Sequence, residues 1–364
     1  MNDLAINLMR LRKLNGLTQQ AAAETAGISR VAYRNLEKGD AEPRGKTLRA
    51  LAEAFNASVM DLLAPVPQLK SLRFRANSKM SEQERAQGRQ IVVRTGNWLQ
   101  DFNELECLLN TQQPVRLKTF CKGTQPKTVA VKLRAELLPH KCDCVPDLCE
   151  LLENTGVKIF LLDFHMSEMS GLSVGKADGG PAMAINTGNK MPVERQFFSI
   201  AHELGHLVLH QDSYGKASDK LTVDQEAEAD RFAAAFLMPD ELFIKEWNEN
   251  RGLHWVDAVL KTKRHFKVSY QSVIHHLIDI GKLADKSAYK KFRADYKNRY
   301  GKELHWRNDE PRPLDQFDLV EDRFATLVHD ALDKELITVS RTAEILDVSI
   351  EDLRNRMKSW EVVK

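Results

Sequence analysis

The stretch FFSIAHELGHLVLH, residues 197–210, sets His202 and His206 four positions apart with Glu203 directly after the first. On a helix, positions i and i+4 lie one turn apart on one face, so both imidazoles can bind a single ion. Glu203 is rotated about 100° from His202, beside such an ion rather than on it. That position suits a base acting on water that the ion has activated. Ile200, Leu204, Leu207 and Val208 can bury the other side of the helix, and Gly205 permits close approach of another element or of substrate. His210, eight residues past His202, is off the ligand axis.

A catalytic zinc site needs a third protein ligand and an open fourth position. Downstream, EAEADRFAAAFLMP (226–239) again sets two groups, Glu226 and Asp230, at i and i+4. A carboxylate at 226 completes a His₂Glu set, and Asp230 can accept the free N–H of a ligand imidazole and fix its tautomer. Glu228 lies about 200° from Glu226, so both cannot face one ion; it is the fallback ligand. Thr222 and Gln225 can open this helix as a capping box. The competing reading, a solvated acidic face, leaves the histidine pair without a third partner.

These helices need a scaffold. GVKIFLLDF (156–164), GLSVGK (171–176) and PAMAIN (181–186) read as three short strands between Gly-containing turns, a small sheet ahead of a long helix with Pro192 at its first position. Upstream, HKCDCVPDLCELL holds His140, Cys142, Cys144 and Cys149, but a single close pair with one intervening residue does not match zinc-knuckle spacing. Buried or incidental thiols are expected, with Pro146 opening a helix that packs Cys149, Leu151 and Leu152. LRAELL, LLENTGVKIFLLDF, GLSVGK, AMAIN, RQFFSIAHELGHLVLH and EAEADRFAAAFLMP, in this order over about residues 128–239, resemble the ImmA/IrrE family of zinc metallopeptidases. The resemblance implies a zincin-like fold, Zn2+ held by His202, His206 and Glu226, Glu203 as general base, and cleavage of helix-turn-helix repressors that switches on stress, phage or mobile-element genes.

The first 65 residues read as five short helices. Thr18, Ser29 and Ser58 are N-caps, Gly27 and Gly39 are stops, a fourth helix runs from about Lys46 to Phe55, and Pro65 closes the fifth. On the third helix Ile28, Tyr33 and Leu36 can face a core, which leaves Arg30, Val31, Arg34 and Asn35 outward to read base edges. Gln19, Lys38, Arg44 and Lys46 sit where phosphate contacts would be made. LRKLNGLTQQAAAETAGISRVAYRNLEKGDAEP followed by LRALAEAFNASVMDLL resembles the Xre (Cro/C1-like) repressor family across residues 5–63. That resemblance implies an operator of double-stranded DNA.

PVPQLK (65–70) reads as a linker. In the helix that follows, Ile91, Trp98, Phe102, Leu105 and Leu109 nearly fit a heptad seam, either a homodimer contact or a face packed on the next domain. In the C-terminal third, 265–283 and 337–357 are helix-turn-helix-like. The first continues the ImmA/IrrE resemblance, and both read as structural helices or a sensing surface rather than a second DNA reader. Between them, KSAYKKFRADYKNRYGKELHWRNDEPRP is charged and aromatic, a mobile arm or a nucleic-acid contact.

The 364 residues, 43% hydrophobic and 29% charged, fit a multidomain globular chain. Sparse cysteine argues against a disulfide scaffold, and the absence of a long apolar run or signal-peptide core argues for the cytoplasm and against a membrane. The net charge of +2 conceals 13 Lys/Arg against 7 Asp/Glu in residues 1–80, a net of +6 that leaves −4 for the rest. The expected fold is mainly α: an all-α helix-turn-helix domain (1–66), a linker and long helix (67–127), a small α+β zincin-like domain (128–240), its helical extension (241–285) and a C-terminal helical region (286–364). The expected function is a DNA-binding regulator whose zinc endopeptidase cuts its own chain, a repressor or a toxin–antitoxin component. The alternative is a non-proteolytic repressor or antitoxin whose peptidase-like domain binds a partner or senses a signal.

Overall fold

Four N-caps frame the first helices of the chain. The side chains of Asn2, Thr18, Ser29 and Ser58 each accept a backbone N–H from the opening turn of a helix. These caps start α1 (Asp3–Leu14), α2 (Gln19–Thr25), α3 (Arg30–Lys38) and α5 (Val59–Leu63); α4 (Gly45–Ala54) starts without one. Gly39, at φ 78°, stops α3 in the left-handed region that glycine enters without strain. Leu8, Ala22, Tyr33, Leu36, Leu51 and Leu62 form the core, with Ile28 packed against it. The buried Asn7 amide donates to the carbonyls of Leu62 and Ala64, which ties α1 to the end of α5.

The computed structural model describes residues 2–64, 66, 69–73, 82–120, 123–138, 142–164, 166, 169–188, 191–214, 223–305 and 309–361. Pro65, Thr222 and His140, each given a part by the sequence, lie outside them. Two compact units emerge, Met1–Leu69 with Arg75–Gln100, and Lys70–Phe74 with Asp101–Lys364.

In the second unit, β1 (Leu72–Arg73) precedes α6 (Glu82–Leu109), whose last nine residues belong to this unit. Then come α7 (Pro126–Leu137), α8 (Leu148–Glu153), β2 (Lys158–Leu162), β3 (Gly171–Val174), β4 (Ala182–Asn186), α9 (Val193–Leu209) and α10 (Val223–Leu237). The sheet order is β1-β3-β4-β2: β2 runs parallel to β4, while β3 is antiparallel to β4 and to β1. Three of these strands are legible from alternation; β1, two residues long, is set by pairing with β3. The buried Asn186 side chain ties down the β2–β3 connection, donating to Met166 O and Met169 O and accepting from Phe164 N, and also accepts from Gly188 N just past β4. Both prolines assigned to first helical positions lie earlier. Pro192 is the N-cap of α9, and Asp147, not Pro146, caps α8 because its carboxylate can accept the Glu150 N–H.

The remaining helices are α11 (Asp240–Glu249), α12 (Trp255–Phe266), α13 (Tyr270–Asp279), α14 (Ser287–Tyr300), α15 (Arg323–Asp333), α16 (Val339–Ile345) and α17 (Ile350–Glu361). One core takes in Leu133, Ile185, Leu204, Phe236, Phe266, Phe292 and Leu314, so the ranges 128–240, 241–285 and 286–319 contribute to the same apolar interior. The charged, aromatic stretch after Leu283 forms α14, with Tyr289, Phe292 and Tyr296 buried in that interior. At its centre Lys263 bonds Glu194 at 2.7 Å and Glu310 at 2.8 Å, joining α12, the first turn of α9 and the segment at 310.

The seam of α6 is occupied within the chain. Ile91, Trp98, Phe102 and Leu105 are buried, and Phe102 stacks on Phe324 at 5.5 Å. A dimer contact along this seam would have to displace that packing. Arg341 of α16 pairs with Asp101 and Glu104 of α6, which commits α16 to structure.

Beside α8, burial and the neighbouring Glu321 hold the Glu153 carboxyl up to about 9, and burial raises Glu321 to about 7. The folded state therefore keeps protons that the unfolded chain releases near pH 4.5, and stability falls as pH rises from there toward 7–9. Glu153→Gln is expected to gain about 1–3 kcal/mol over wild type between pH 5 and pH 8. Thermal unfolding across that range checks it; parallel pH profiles would refute it.

Candidate metal centre

α9 carries its motif on a buried helix. Ile200, Ala201, Leu204 and Val208 are fully buried, each large one contributing about 1.5–3 kcal/mol, and they fix which face meets α10. That meeting is close because residue 205 has no side chain. A Cβ there would come within 3.1 Å of the Phe232 ring and 3.3 Å of Ala229 Cα. The approach that Gly205 permits is thus taken by α10, which brings Glu226 to the two histidines.

His202 Nε2 and His206 Nε2 stand 3.0 Å apart, and Glu226 lies 3.5 Å from the first and 3.4 Å from the second. Zinc bonds of about 2.0–2.1 Å at tetrahedral angles separate neighbouring ligands by about 3.3 Å. The triangle therefore has the dimensions of one face of a zinc tetrahedron, and two imidazole nitrogens and a carboxylate are donors of the kind zinc takes. Among the described residues this is the cluster of potential metal-binding side chains whose ligand atoms all converge.

The outer nitrogens are held as well. His202 Nδ1 lies 2.8 Å from Asp230 Oδ1. His206 Nδ1 lies 2.9 Å from His210 Nδ1, and His210 Nε2 lies 2.8 Å from Glu228 Oε2. Because the carboxylates can only accept, protons belong on His202 Nδ1, on His210 Nε2 and on His206 Nδ1, leaving the inner Nε2 atoms to face Glu226. Burial opposes charge on His202, but hydrogen bonds to Asp230 and Glu226 overcome it and raise the ring to about 10; burial lowers His206 to about 3. Burial also opposes charge on Glu226, yet the two imidazoles hold its carboxyl well below the usual range. One proton is thus shared where a cation would sit. Glu228, the fallback ligand, serves His210 instead.

Glu203 is outside the triangle. It is buried, and Ser173 Oγ donates to its Oε2 at 2.7 Å while Tyr214 OH lies 2.7 Å from the same hydroxyl. Gly171 leaves room for it, since a Cβ there would reach within 3.2 Å of Oε1. Burial raises its carboxyl, against the pull of His202 and of the Ser173 hydrogen bond. A buried carboxylate whose hold on a proton is strengthened in this way, placed beside the triangle, has the chemistry to take and return a proton.

Residues 152–277 match the family model of the IrrE N-terminal-like domain, peptidase M78, and residues 8–62 match that of the helix-turn-helix. An IrrE-like domain is fused behind a helix-turn-helix domain. A search of curated proteins returns no match. The fusion supports DNA-binding regulation by the first domain and a peptidase-like character for the second. The IrrE-like match runs from α8 to α13, so it takes in the sheet, α9 and α10. Among the described residues no helix is long and apolar enough to cross a membrane.

On the helix-turn-helix domain Arg30, Val31, Arg34, Lys38, Arg44 and Lys46 are exposed and Asn35 is half-buried. Gln19 is engaged internally: its amide donates to Glu37 at 2.7 Å, the carboxylate that also holds Arg12. Sequence reading missed Ser173, Tyr214 and Arg73 at the IrrE-like site, and set His210 aside. A signal existed for His210, one further i+4 step along the His202–His206 face, and for Ser173, a polar residue on a strand with both faces buried.

The chain is expected to bind one zinc ion. His202→Ala and Glu226→Ala abolish binding, Glu203→Gln retains it, and His210→Ala weakens it about 10–100-fold by freeing the His206 ring. Metal content by mass spectrometry and chelator competition measure this; full affinity in His210→Ala would remove its positioning role.

Proposed function

We propose that this protein is a DNA-binding transcriptional regulator whose IrrE-like domain is a zinc-dependent endopeptidase, cutting its own chain or a partner regulatory protein to relieve repression. Glu203 carries the reading. A zinc site that only stabilises the fold has no use for a buried carboxylate beside the ligands, secured by Ser173 and left out of the ligand set. His202, His206 and Glu226 would hold Zn2+, which supplies Lewis acidity toward a peptide carbonyl and toward water. Glu203 accepts the water proton and delivers it to the leaving amine. Ser173, fixed by Tyr214, orients the carboxylate, while Asp230 and the Glu228–His210 pair keep both ligand rings in the right tautomer.

The helix-turn-helix domain brings this chemistry to DNA. Arg30, Val31, Arg34 and Asn35 of α3 read base edges in the major groove of a double-stranded operator, and Lys38, Arg44 and Lys46 meet phosphates. Gln19 braces Glu37 and can reach a phosphate through what remains of its amide. An operator with two-fold symmetry would call for a homodimer, built on surfaces other than the buried seam of α6.

Co-expression of wild type or Glu203→Gln with the neighbouring gene's product, followed by intact mass, tests the peptidase. Fragments of the partner or of the chain itself are expected with wild type alone. Uncut proteins under inducing stress, with zinc bound, would overturn endopeptidase activity. Separately, Arg30→Ala and Arg34→Ala should each weaken operator binding by about 1–3 kcal/mol, and Lys46→Ala should lower the salt slope by about 1. Unchanged titrations would remove α3 as the reading helix.

A further inference from the structure

β1 lies along the outer edge of β3, and a strand edge offers unpaired N–H and C=O groups to an extended chain. Leu72 pairs with Val174 and Arg73 with Ser173, and the Gly175 N–H donates to Ser71 O at 2.8 Å. Ser71 is anchored in turn: its N–H and hydroxyl both donate to Asp178, at 2.6 and 2.7 Å. Residues directly opposed in an antiparallel pair share a face. Arg73 therefore projects on the side of Ser173, the residue whose hydroxyl holds Glu203.

Its guanidinium reaches Gln225 Oε1 at 3.1 Å and Glu226 Oε1 at 3.4 Å. Arg73 is only 5% exposed, and among the described residues its Nε has no hydrogen-bond partner. A buried cation stays in place only if carboxylates repay its desolvation, and the one its guanidinium reaches directly is Glu226. Glu226 is also one of the three candidate metal donors. A dication among His202, His206 and Glu226 would put like charge against the guanidinium in a weakly screened site.

We propose that residues 70–73 are an internal occupant of the polypeptide-binding edge of the site, and that Arg73 competes with the metal ion for Glu226. This rests on reading the site as a metal-dependent peptidase. Metal loading and release of β1 are then linked, and the coupling is reciprocal: whatever frees the strand tightens the metal, and the metal loosens the strand. The ligand that replaces β1 in the metal-loaded site is an extended peptide whose residue opposite Ser173 carries no positive charge, since a cation there would meet the same repulsion. The occupant sits on the stretch of chain between the helix-turn-helix match and the IrrE-like match, so a partner that draws on this stretch would alter the metal site.

Two readouts on the full chain test it, neither using hydrolysis. Zinc affinity is measured by chelator competition for wild type, Arg73→Ala and Arg73→Lys, and exchange of the Gly175 amide is followed in wild type with and without zinc. Arg73→Ala is expected to bind zinc at least tenfold more tightly, Arg73→Lys to stay within threefold of wild type, and zinc to speed Gly175 exchange at least tenfold. An Arg73→Ala affinity no tighter than wild type, or an exchange rate indifferent to zinc, overturns the proposal. The exchange measurement decides by itself if Arg73→Ala does not fold. A chain that binds zinc and cuts nothing leaves this proposal standing, and its failure leaves the Glu203 experiment unaffected.

Discussion

The contact of α9 with α10 at Gly205 is the constraint on which the site depends. A helix bearing two histidines offers two nitrogens, and the third donor must come from a separate element at ligand distance. Glu226 is brought to that distance because Ala229 and Phe232 of α10 lie against a residue with no side chain. The same approach places Asp230 against His202 and Glu228 against His210. Even a methyl group at 205 would meet Phe232 and the Ala229 backbone more tightly than ordinary contact, so α10 would have to yield there and the triangle and both outer bonds would be strained together.

Electrostatics then divides the acidic residues by task. Glu226 faces two imidazoles and stays charged, Asp230 and Glu228 face outer ring nitrogens, and Glu203 is buried with a hydroxyl for company. Four carboxylates within one short stretch of two helices thus acquire different roles from their surroundings. The sheet contributes through Ser173 and Gly171, one holding Glu203 and the other making space for it. Packing elsewhere serves to hold α9: the buried Lys263–Glu194 pair fixes its first turn to α12, and a buried ion pair tolerates loss of neither partner.

Much of this was legible in the chain. Helix starts follow from Thr18, Ser29 and Ser58, whose side chains can cap, and the ligand spacing follows from helical geometry. Glu226 and Asp230 could be placed on one face by counting. What could not be read depends on register between distant segments. β1 has two residues, too few for any alternation to register, and Arg73 acquires meaning only once it stands opposite Ser173. The heptad-like spacing of α6 marks a buried face but does not say whether the partner is a second copy or, as for Phe102, Phe324 of the same chain. Proline positions slipped by a residue or more: at α8 because Asp147 makes the better cap, and at α9 because Pro192 itself takes the cap position.

The central claim is that a metal ion is held by two imidazoles and a carboxylate, not by the free thiols of Cys142, Cys144 and Cys149 that the same domain carries. Zinc X-ray absorption on the intact chain tests it most directly. The account predicts a shell of nitrogen and oxygen donors at about 2.0–2.2 Å with two imidazoles and no sulfur. A sulfur shell at about 2.3 Å would contradict it.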